Sequence, residues 1–237
     1  WCFFALAAAS LVACSTAPSR PLAPPADAVI AAPAHDNLNA VIWMQTAAEY
    51  DAAVRGVYAS ARRSLDQALQ DPSWNALPEG EFVAGFEMKP VAIIVDADET
   101  FIDNSAFQAR GVIEDSGFTH EGWLKWVNAE AATALPGAVA FAQYADSRDV
   151  TIFYVTNRDA PDEVAATVAN LRKLGFPVAA DASNVMLRGD ARAPDREKGQ
   201  RRRLIDRDYR VVLMLGDNLG DFLDGINADV ATRQALM

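Results

Sequence analysis

The sequence predicts an α/β fold, in which a central parallel sheet carries helices on both faces, and two observations support this prediction. Apolar, mostly β-branched runs occur at residues 91–95, 150–155 and 211–215, without the alternation of a one-sided sheet. Helical patterns separate these runs, as in chains whose neighbouring strands are parallel. Because ligands of such sheets bind at the carboxyl ends of the strands, the polar residues after each run form the candidate site.

The N-terminal residues 1–13 form an apolar run, closed by Leu11-Val12-Ala13 and followed by Cys14. This run is too short to span a bilayer and suits the hydrophobic region of a signal peptide. Small residues before a cysteine resemble a bacterial lipobox, which implies cleavage before Cys14 and lipidation of that residue. An ordinary signal peptide is the alternative. Because neither Met nor a basic segment precedes Trp1, the start of the signal peptide is expected upstream.

Residues 14–37 are rich in Ala and Pro and are predicted to form a lipidated, extended tether. Ser15 after the cysteine favours the outer membrane of a bacterial cell envelope, facing the periplasm or the surface. Lipid chains would anchor the protein to that membrane without spanning it. Cys2 and Cys14 are the sequence's two cysteines, so no disulfide is expected within the folded domain.

A long helix is predicted to open the folded domain, residues 38–237. Apolar residues recur at steps of three and four, which is typical of a helix with one core-facing stripe, and Pro72 ends the pattern. Trp43 and Tyr50 are expected to pack in that stripe rather than bind a ligand. The stripe comprises Trp43, Ala47, Tyr50, Val54, Val57, Ala61, Leu65 and Ala68.

The segment between the first two strong strands is longer than one crossover needs. An inserted cap at about residues 101–135 is therefore predicted to cover the site, followed by a helix over residues 137–147. Further along, helices are predicted at residues 161–174 and 199–206. A weaker apolar run at residues 185–187 predicts a fourth strand.

Four carboxylates follow two of the predicted strands: Asp96 and Asp98 after the first, Asp217 and Asp221 after the third. Their convergence would raise some of their pKa values strongly unless a cation were bound. Oxygen-only ligation favours Mg²⁺, which leaves coordination positions for water and a phosphate oxygen. Asp221 has a second interpretation, as a helix cap after the turn at Asn218.

The spacing also indicates chemistry on a phosphoryl group. Asp96 and Asp98 would face the same side of an extended chain, so one can attack phosphorus while the other serves as general acid and base. Thr156 and Asn157 offer donors to phosphoryl oxygens, and Lys198 offers a positive charge. No Cys/His set suited to zinc is expected, since one histidine lies in the tether and the other in the cap.

Four motifs in order resemble those of the haloacid dehalogenase (HAD) superfamily: "DADET", "FYVTNR", Lys198 and "LGDNLGDF". With "WLKWVNAEAATALPGAVAFAQYADS" and the lipobox, residues 41–224 resemble the class C acid phosphatases, outer-membrane lipoprotein 5′-nucleotidases of bacteria. The resemblance implies a Rossmann-like HAD fold and a Mg²⁺-dependent phosphomonoesterase that acts on nucleoside 5′-monophosphates through an aspartyl-phosphate.

The resemblance also implies individual roles. Asp96 corresponds to the nucleophile and a metal ligand, and Asp98 to the acid/base, which binds metal through its backbone carbonyl. The other matches are Thr156 and Lys198 as phosphate binders, Asp217 and Asp221 as metal ligands, and Trp123 and Phe118 as aromatic substrate contacts.

The sequence departs from the family at three places. Ala97 stands where the family usually has a bulkier residue, and Phe101 stands where the family has an aliphatic one. The family also continues beyond the position of Met237 with a strand and a Pro-Asn…Tyr-Gly…Trp segment that covers substrate. A truncated C-terminus is therefore expected, which leaves nucleotide specificity open.

The net charge of −11 argues against polymeric nucleic acid as a partner, whereas small phosphomonoesters need only local positive charge. Three alternative functions have different chemistry: carbon–halogen cleavage, against which Asp98 argues; a surface lipoprotein that binds nucleotide or haem; and a phospho-acceptor domain, against which the cap argues.

The run Arg201-Arg202-Arg203 is predicted to be a solvated helix face, with support of the phosphate site by Arg201 as the alternative. The sequence leaves homo-oligomerisation open.

Overall fold

The computed structural model describes residues 35–236 of the chain. In chain order, the strands are β1 (Val91–Val95), β2 (Ile102–Asp103), β3 (Thr133–Ala134), β4 (Thr151–Asp159), β5 (Val185–Arg188) and β6 (Arg210–Leu215). The helices are α1 (Leu38–Thr46), α2 (Ala48–Gln70), α3 (Ser105–Ile113), α4 (His120–Ala129), α5 (Ala138–Asp146), α6 (Val164–Leu174), α7 (Gly199–Asp208) and α8 (Val230–Ala235). Short 3₁₀ helices lie at Phe86–Met88 and Leu219–Asp221.

The main sheet is parallel and has the strand order β5-β4-β1-β6. Its central strand alternates between two cores: Ile93 and Val95 pack with α2 and α5, whereas Ala92 and Ile94 pack with residues of α7. Both faces are thus covered, which explains why β1 is apolar throughout. The α/β fold predicted from the sequence is confirmed, and β1 has the predicted bounds.

Strand β4 runs four residues further than predicted, as far as Asp159. Asp159 pairs with Arg188 of β5 beyond a register shift that follows Val155, and this pairing keeps the chain extended. Thr156, Asn157 and Arg158 therefore lie within a strand and not after it. Helix α6 begins at Val164, three residues later than predicted, because a turn precedes it in which the Glu163 amide donates to the Asp159 carbonyl (2.9 Å).

The N-terminal helix is two helices, so the prediction of one continuous helix is wrong. Ala47 is extended (ψ 121°) and breaks the apolar stripe, which leaves Trp43 50% exposed. In α2, Tyr58 enters the core against Phe101 and Phe141, while the neighbouring Val57 is 56% exposed. The end before Pro72 agrees with the sequence prediction.

Residues 101–135, the predicted cap, contain α3, α4 and a two-stranded antiparallel sheet of β2 and β3. Thr119 begins α4 as an N-cap whose hydroxyl accepts a hydrogen bond from the Gly122 amide (3.1 Å). An aromatic cluster joins the two helices, with ring centroids 5.4–6.3 Å apart. It consists of Phe107, Phe118, Trp123 and Trp126.

The predicted signal peptide, the lipidation site Cys14 and most of the predicted tether lie outside the described residues. The last residues of that tether are described and contact the cap: His35 Nε2 lies 3.2 Å from the Ser116 carbonyl, and Asn37 donates to Gln108 (3.1 Å). Among residues 35–236, no helix combines the length and apolar character needed to cross a membrane.

Candidate active site

Asp96 directly follows β1, and its amide donates to the Leu215 carbonyl of β6 (2.9 Å). Its carboxylate accepts a hydrogen bond from the ammonium group of Lys198, the residue that caps α7. Lys198 also contacts Asp221 (2.7 Å) and is only 3% exposed. Lys198 therefore joins Asp96, 102 positions away in the sequence, to Asp221, 23 positions away, at the carboxyl edge of the sheet.

Three carboxylates converge there. Asp96, Asp217 and Asp221 each place one oxygen within 4.8 Å of the others. Asp221 also closes a capping box, in which its Oδ2 accepts from the Asn218 amide (2.9 Å). The two interpretations of Asp221 are thus compatible, because the cap fixes its carboxylate beside the other two.

The surroundings of this three-carboxylate cluster oppose the ionisation of Asp96 and Asp217. Burial raises the pKa of Asp96, against the lowering effect of Lys198 and with a further increase from Asp221. Asp217 is more exposed than the other two aspartates, but partial desolvation of its carboxyl group, followed by the neighbouring Asp221 carboxylate, raises its pKa. Burial thus disfavours the charged form of both carboxylates.

The residues present fit a divalent cation. When ionised, the three carboxylates and the one ammonium leave two negative charges without compensation. The donor set is oxygen only, which suits a hard cation. Asp96, Asp217 and Asp221 are the residues that could hold such a cation here.

The side chain of Asp98 lies outside the three-carboxylate cluster and is held by an arginine. Arg158 Nη2 is 2.7 Å from Asp98 Oδ1, and Nε is 3.1 Å from both carboxylate oxygens. Asn104 also donates to Oδ1 (2.8 Å). Asp98 is therefore fully compensated by the protein, whereas the three aspartates beside it share one ammonium group, and the Asp98 carboxylate has a fixed orientation.

Thr156 and Asn157 lie side by side in β4. Thr156 is 1% exposed, and its hydroxyl, 3.4 Å from Asp98, accepts a hydrogen bond from the Arg158 amide (3.2 Å). The side chain of Asn157 is exposed, but its oxygen accepts from Arg201 (2.9 Å). The structure thus brings Thr156 and Asn157, the two residues predicted to donate hydrogen bonds to phosphoryl oxygens, to the edge of the sheet that carries Asp98.

The arginine run of α7 is not a solvated face, so that prediction is wrong. Arg201 and Arg202 are 0% exposed, and only the side chain of Arg203 is about half exposed. Arg202 forms a two-nitrogen ion pair with Glu81 (2.7 and 2.8 Å) and a contact with Asp224 (3.1 Å). These partners lie far away in the sequence, so helical periodicity could not reveal the burial.

The two predicted aromatic contacts have different positions. Trp123 donates to Glu163 (3.2 Å), and its ring lies 5.4 Å from the Arg158 guanidinium, close to the candidate site. Phe118 is 70% exposed and packs on Phe107 and Trp123. It lines a cavity of about 750 Å³ in the cap that none of the predicted catalytic residues lines.

Sequence reasoning missed two residues that hold Asp98. Asn104, fully buried, donates to Asp98 and accepts from Trp126 (2.8 Å), and so connects the cap to the site. Arg158 is two residues from Thr156, and in an extended chain this spacing places both on the same face. That spacing was a usable signal for Arg158, whereas nothing local distinguishes Asn104 from a turn residue.

A second cluster joins cap and core, where His120, Asp159 and Glu163 place one ligand atom each within 4.8 Å. Both oxygens of Asp159 are already bound by Arg188, and Glu163 accepts from Trp123. The carboxylates of this cluster therefore have partners within the protein.

The chain is similar to known proteins over most of its length. The family described as HAD superfamily, subfamily IIIB (acid phosphatase), matches residues 7–237. A structure of the class C acid phosphatase from Bacillus anthracis with tungstate bound has a TM-score of 0.71 and 33% sequence identity, over 84% of this chain and 76% of that chain. Another structure of the class C acid phosphatase from that organism has a TM-score of 0.70 and 32% identity over the same shares.

Proposed function

Because the chain belongs to the acid phosphatases of HAD subfamily IIIB, and is thus a phosphomonoesterase, we propose that it is a Mg²⁺-dependent enzyme that uses an aspartyl-phosphate. The match confirms the resemblance inferred from the four motifs. One observation supports the mechanism above all others: the buried Asp96 carboxylate lies at the end of the central strand in contact with Lys198, and Asp98 follows two residues later.

Asp96 is proposed as the nucleophile. One carboxylate oxygen attacks the phosphorus atom, a bond forms between them, and the bond from phosphorus to the ester oxygen breaks. Lys198 contacts the Asp96 carboxylate and can interact with an equatorial oxygen of the transferred group. Water then attacks the acyl phosphate, which releases inorganic phosphate and regenerates Asp96.

Asp98 is proposed to move the proton. It would donate a proton to the leaving ester oxygen in the first step and accept one from the attacking water in the second. Its contacts with Arg158 and Asn104 fix the carboxylate beside Thr156, so the distance to the reacting atoms is set by the fold.

Thr156 and Asn157 are proposed to donate hydrogen bonds to the phosphoryl oxygens. The Thr156 hydroxyl is next to Asp98, and Asn157 is exposed at the same edge. The Bacillus anthracis phosphatase has been solved with tungstate, an oxyanion that resembles phosphate in shape and charge. This supports an oxyanion site in the present chain.

Mg²⁺ is the proposed cofactor, held by Asp96, Asp217, Asp221 and the backbone carbonyl of Asp98. When bound, it would neutralise negative charge on the phosphoryl group. The carboxylates supply its ligands, and the two uncompensated negative charges of the cluster match its charge.

Nucleoside 5′-monophosphates are the proposed substrates. Motif similarity to the 5′-nucleotidase family supports them, as does Trp123, an aromatic side chain beside Arg158 that could stack on a base. Phe118 is a weaker candidate because its ring lies among cap residues.

The test is phosphate release from nucleoside 5′-monophosphates, sugar phosphates and p-nitrophenyl phosphate at mildly acidic pH, with Mg²⁺ and with EDTA. The expected result is release that Mg²⁺ restores after EDTA treatment, with the highest kcat/KM for a nucleotide. Equal kcat/KM for sugar phosphates would contradict the substrate, and EDTA-resistant release would contradict the cofactor. Binding of nucleotide or haem with no release from any ester would instead favour a ligand-binding lipoprotein.

We also propose that Cys14 is lipidated and anchors the protein to the outer membrane of the cell envelope. The lipobox-like residues before Cys14 support this. Labelled palmitate should enter the wild-type protein in bacterial cells and should not enter the Cys14→Ser variant. Labelling of that variant would contradict the proposed anchor.

A further inference from the structure

Arg201 has surroundings unlike those of its buried neighbour. Arg202 is compensated by Glu81 and Asp224, whereas Arg201 forms no ion pair within 4 Å among the described residues. Burial lowers the pKa of Arg201 to about 10, although the charge of Asp96 opposes that shift. A buried guanidinium without a carboxylate partner is unfavourable for folding. Its hydrogen bonds are therefore a guide to what it does.

Two of those hydrogen bonds reach the residues of β4 that are proposed to bind phosphate. Arg201 Nη1 donates to the Thr156 carbonyl (2.5 Å), and Nη2 donates to the side-chain oxygen of Asn157 (2.9 Å) and to the Arg196 carbonyl (3.1 Å). Helix α7, which begins directly after Lys198, thus holds the backbone of Thr156 and the side chain of Asn157.

The contact with Asn157 determines which end of its amide is available. An asparagine side chain has one acceptor oxygen and one NH₂ group with two donors. Because Arg201 occupies the oxygen, the NH₂ group is the end left to donate, and it has no acceptor among residues 35–236. Phosphoryl oxygens accept hydrogen bonds, so this orientation is the productive one.

We propose that Arg201 is a positioning residue that orients Asn157 so that its NH₂ group donates to the phosphoryl group. This inference rests on the proposed role of Asn157 in phosphate binding. Arg201 touches neither substrate nor reacting atoms in this proposal, and its effect on catalysis passes through Asn157.

The experiment is a double-mutant cycle of Arg201→Met and Asn157→Ala. We would measure kcat and KM for p-nitrophenyl phosphate, the inhibition constant of inorganic phosphate, and the unfolding temperature. Each single variant is expected to lower kcat/KM and weaken phosphate inhibition roughly 10- to 100-fold, the range typical of outer-shell partners. The double variant should lose no more kcat/KM than the more impaired of the two single variants, because both substitutions remove the hydrogen bond between Arg201 and Asn157.

Arg207→Met is the matched control, since Arg207 is an exposed arginine of the same helix. It should keep wild-type kinetics. A structural role alone would lower the unfolding temperature of Arg201→Met and leave its phosphate inhibition unchanged, which would overturn the proposal. Additive losses in the double variant would overturn it as well.

Two further variants keep the proposal testable if Arg201→Met does not fold. Arg201→Lys keeps the charge and should give a smaller loss that is again absent in the Asn157→Ala background. Asn157→Ala alone must weaken phosphate inhibition, and an unchanged constant would refute the proposal. Asp96→Asn in the same assay separates the two hypotheses, because full activity of that variant would contradict the aspartyl-phosphate mechanism and not the role of Arg201.

Discussion

The guanidinium of Arg158 holds the carboxylate of Asp98 through two nitrogens, with Nη2 2.7 Å from one oxygen and Nε 3.1 Å from both. The side chain of Arg158 is 1% exposed and that of Asp98 is 21% exposed. Arg158 is therefore buried in the protein, whereas Asp98 is partly exposed at the candidate site. This arrangement fixes the direction of the proposed general acid before any substrate binds.

Arg158→Gln should lower kcat more than it changes KM. The glutamine cannot hold Asp98 through two nitrogens, so the carboxylate loses its orientation, and the benefit of general acid catalysis, about 10²- to 10⁴-fold, is partly lost. Steady-state kinetics with p-nitrophenyl phosphate would measure this. Arg188→Gln is the control, because Arg188 pairs with Asp159 at the same end of the sheet and contacts no proposed catalytic residue. Equal losses in both variants would argue against a specific role for Arg158.

Asp96→Asn should reduce turnover by roughly 10³-fold or more, because the amide is a poor nucleophile and cannot form the acyl phosphate. The fold should persist, since asparagine has the same shape and relieves repulsion from Asp221. Circular dichroism and phosphate release would be measured on the same preparation. Near wild-type turnover by a folded variant would exclude the covalent mechanism.

Gly216→Ala should remove activity and destabilise the protein. A Cβ atom at Gly216 would overlap the carboxyl group of Asp221, so the proposed metal ligand or the end of β6 must shift. Overpacking of this kind costs about 1–3 kcal/mol. Urea unfolding and phosphate release would show the change.

The control for this substitution is Gly56→Ala, in helix α2. A Cβ atom there meets nothing within 4 Å, and alanine favours a helix over glycine by roughly 0.5–1 kcal/mol. Gly56→Ala should therefore stabilise the protein and keep its activity. A stability loss in both glycine variants would point to a general effect of substitution rather than to the contact with Asp221.

The sequence was sufficient to predict the sheet and the acidic cluster, because both depend on local patterns. Buried strands are continuous apolar runs, and their carboxyl ends must meet in a parallel sheet, so Asp96, Asp217 and Asp221 could be expected together. The same logic brought Lys198 to Asp96, since α7 leads directly into β6.

What the sequence could not reveal depends on contacts between distant segments. Arg201 and Arg202 look like a charged surface until β4 and Glu81 are placed against them. The break at Ala47 has no Gly or Pro to announce it, and it changes which face of the first helix is buried. Phe118 and Trp123 are both aromatic residues of the cap. Only the packing of the cap shows that Phe118 is exposed and that Trp123 lies beside Arg158.

Asp217→Asn should abolish the stabilisation of the protein by Mg²⁺. Cation binding to the folded state alone stabilises it by about 2.7 kcal/mol at a hundredfold excess over Kd, and this variant removes one of the three proposed carboxylate ligands. In EDTA, however, the variant should be at least as stable as the wild type, because desolvation and Asp221 raise the pKa of Asp217. Unfolding temperatures of both proteins, with EDTA and with Mg²⁺, would test this.

The pH dependence of the stability difference between the wild type and Asp217→Asn follows from the raised pKa of Asp217. A carboxyl group whose pKa is raised in the folded state has its full stability contribution below its ordinary pKa of 3.8, and that contribution is lost as pH rises through the folded value. In EDTA, the wild type should therefore lose stability relative to Asp217→Asn as the pH increases above about 4. Mg²⁺ should reverse the order, because the bound cation favours the ionised form. A pH-independent difference in EDTA would show that Asp217 has no raised pKa in the metal-free protein.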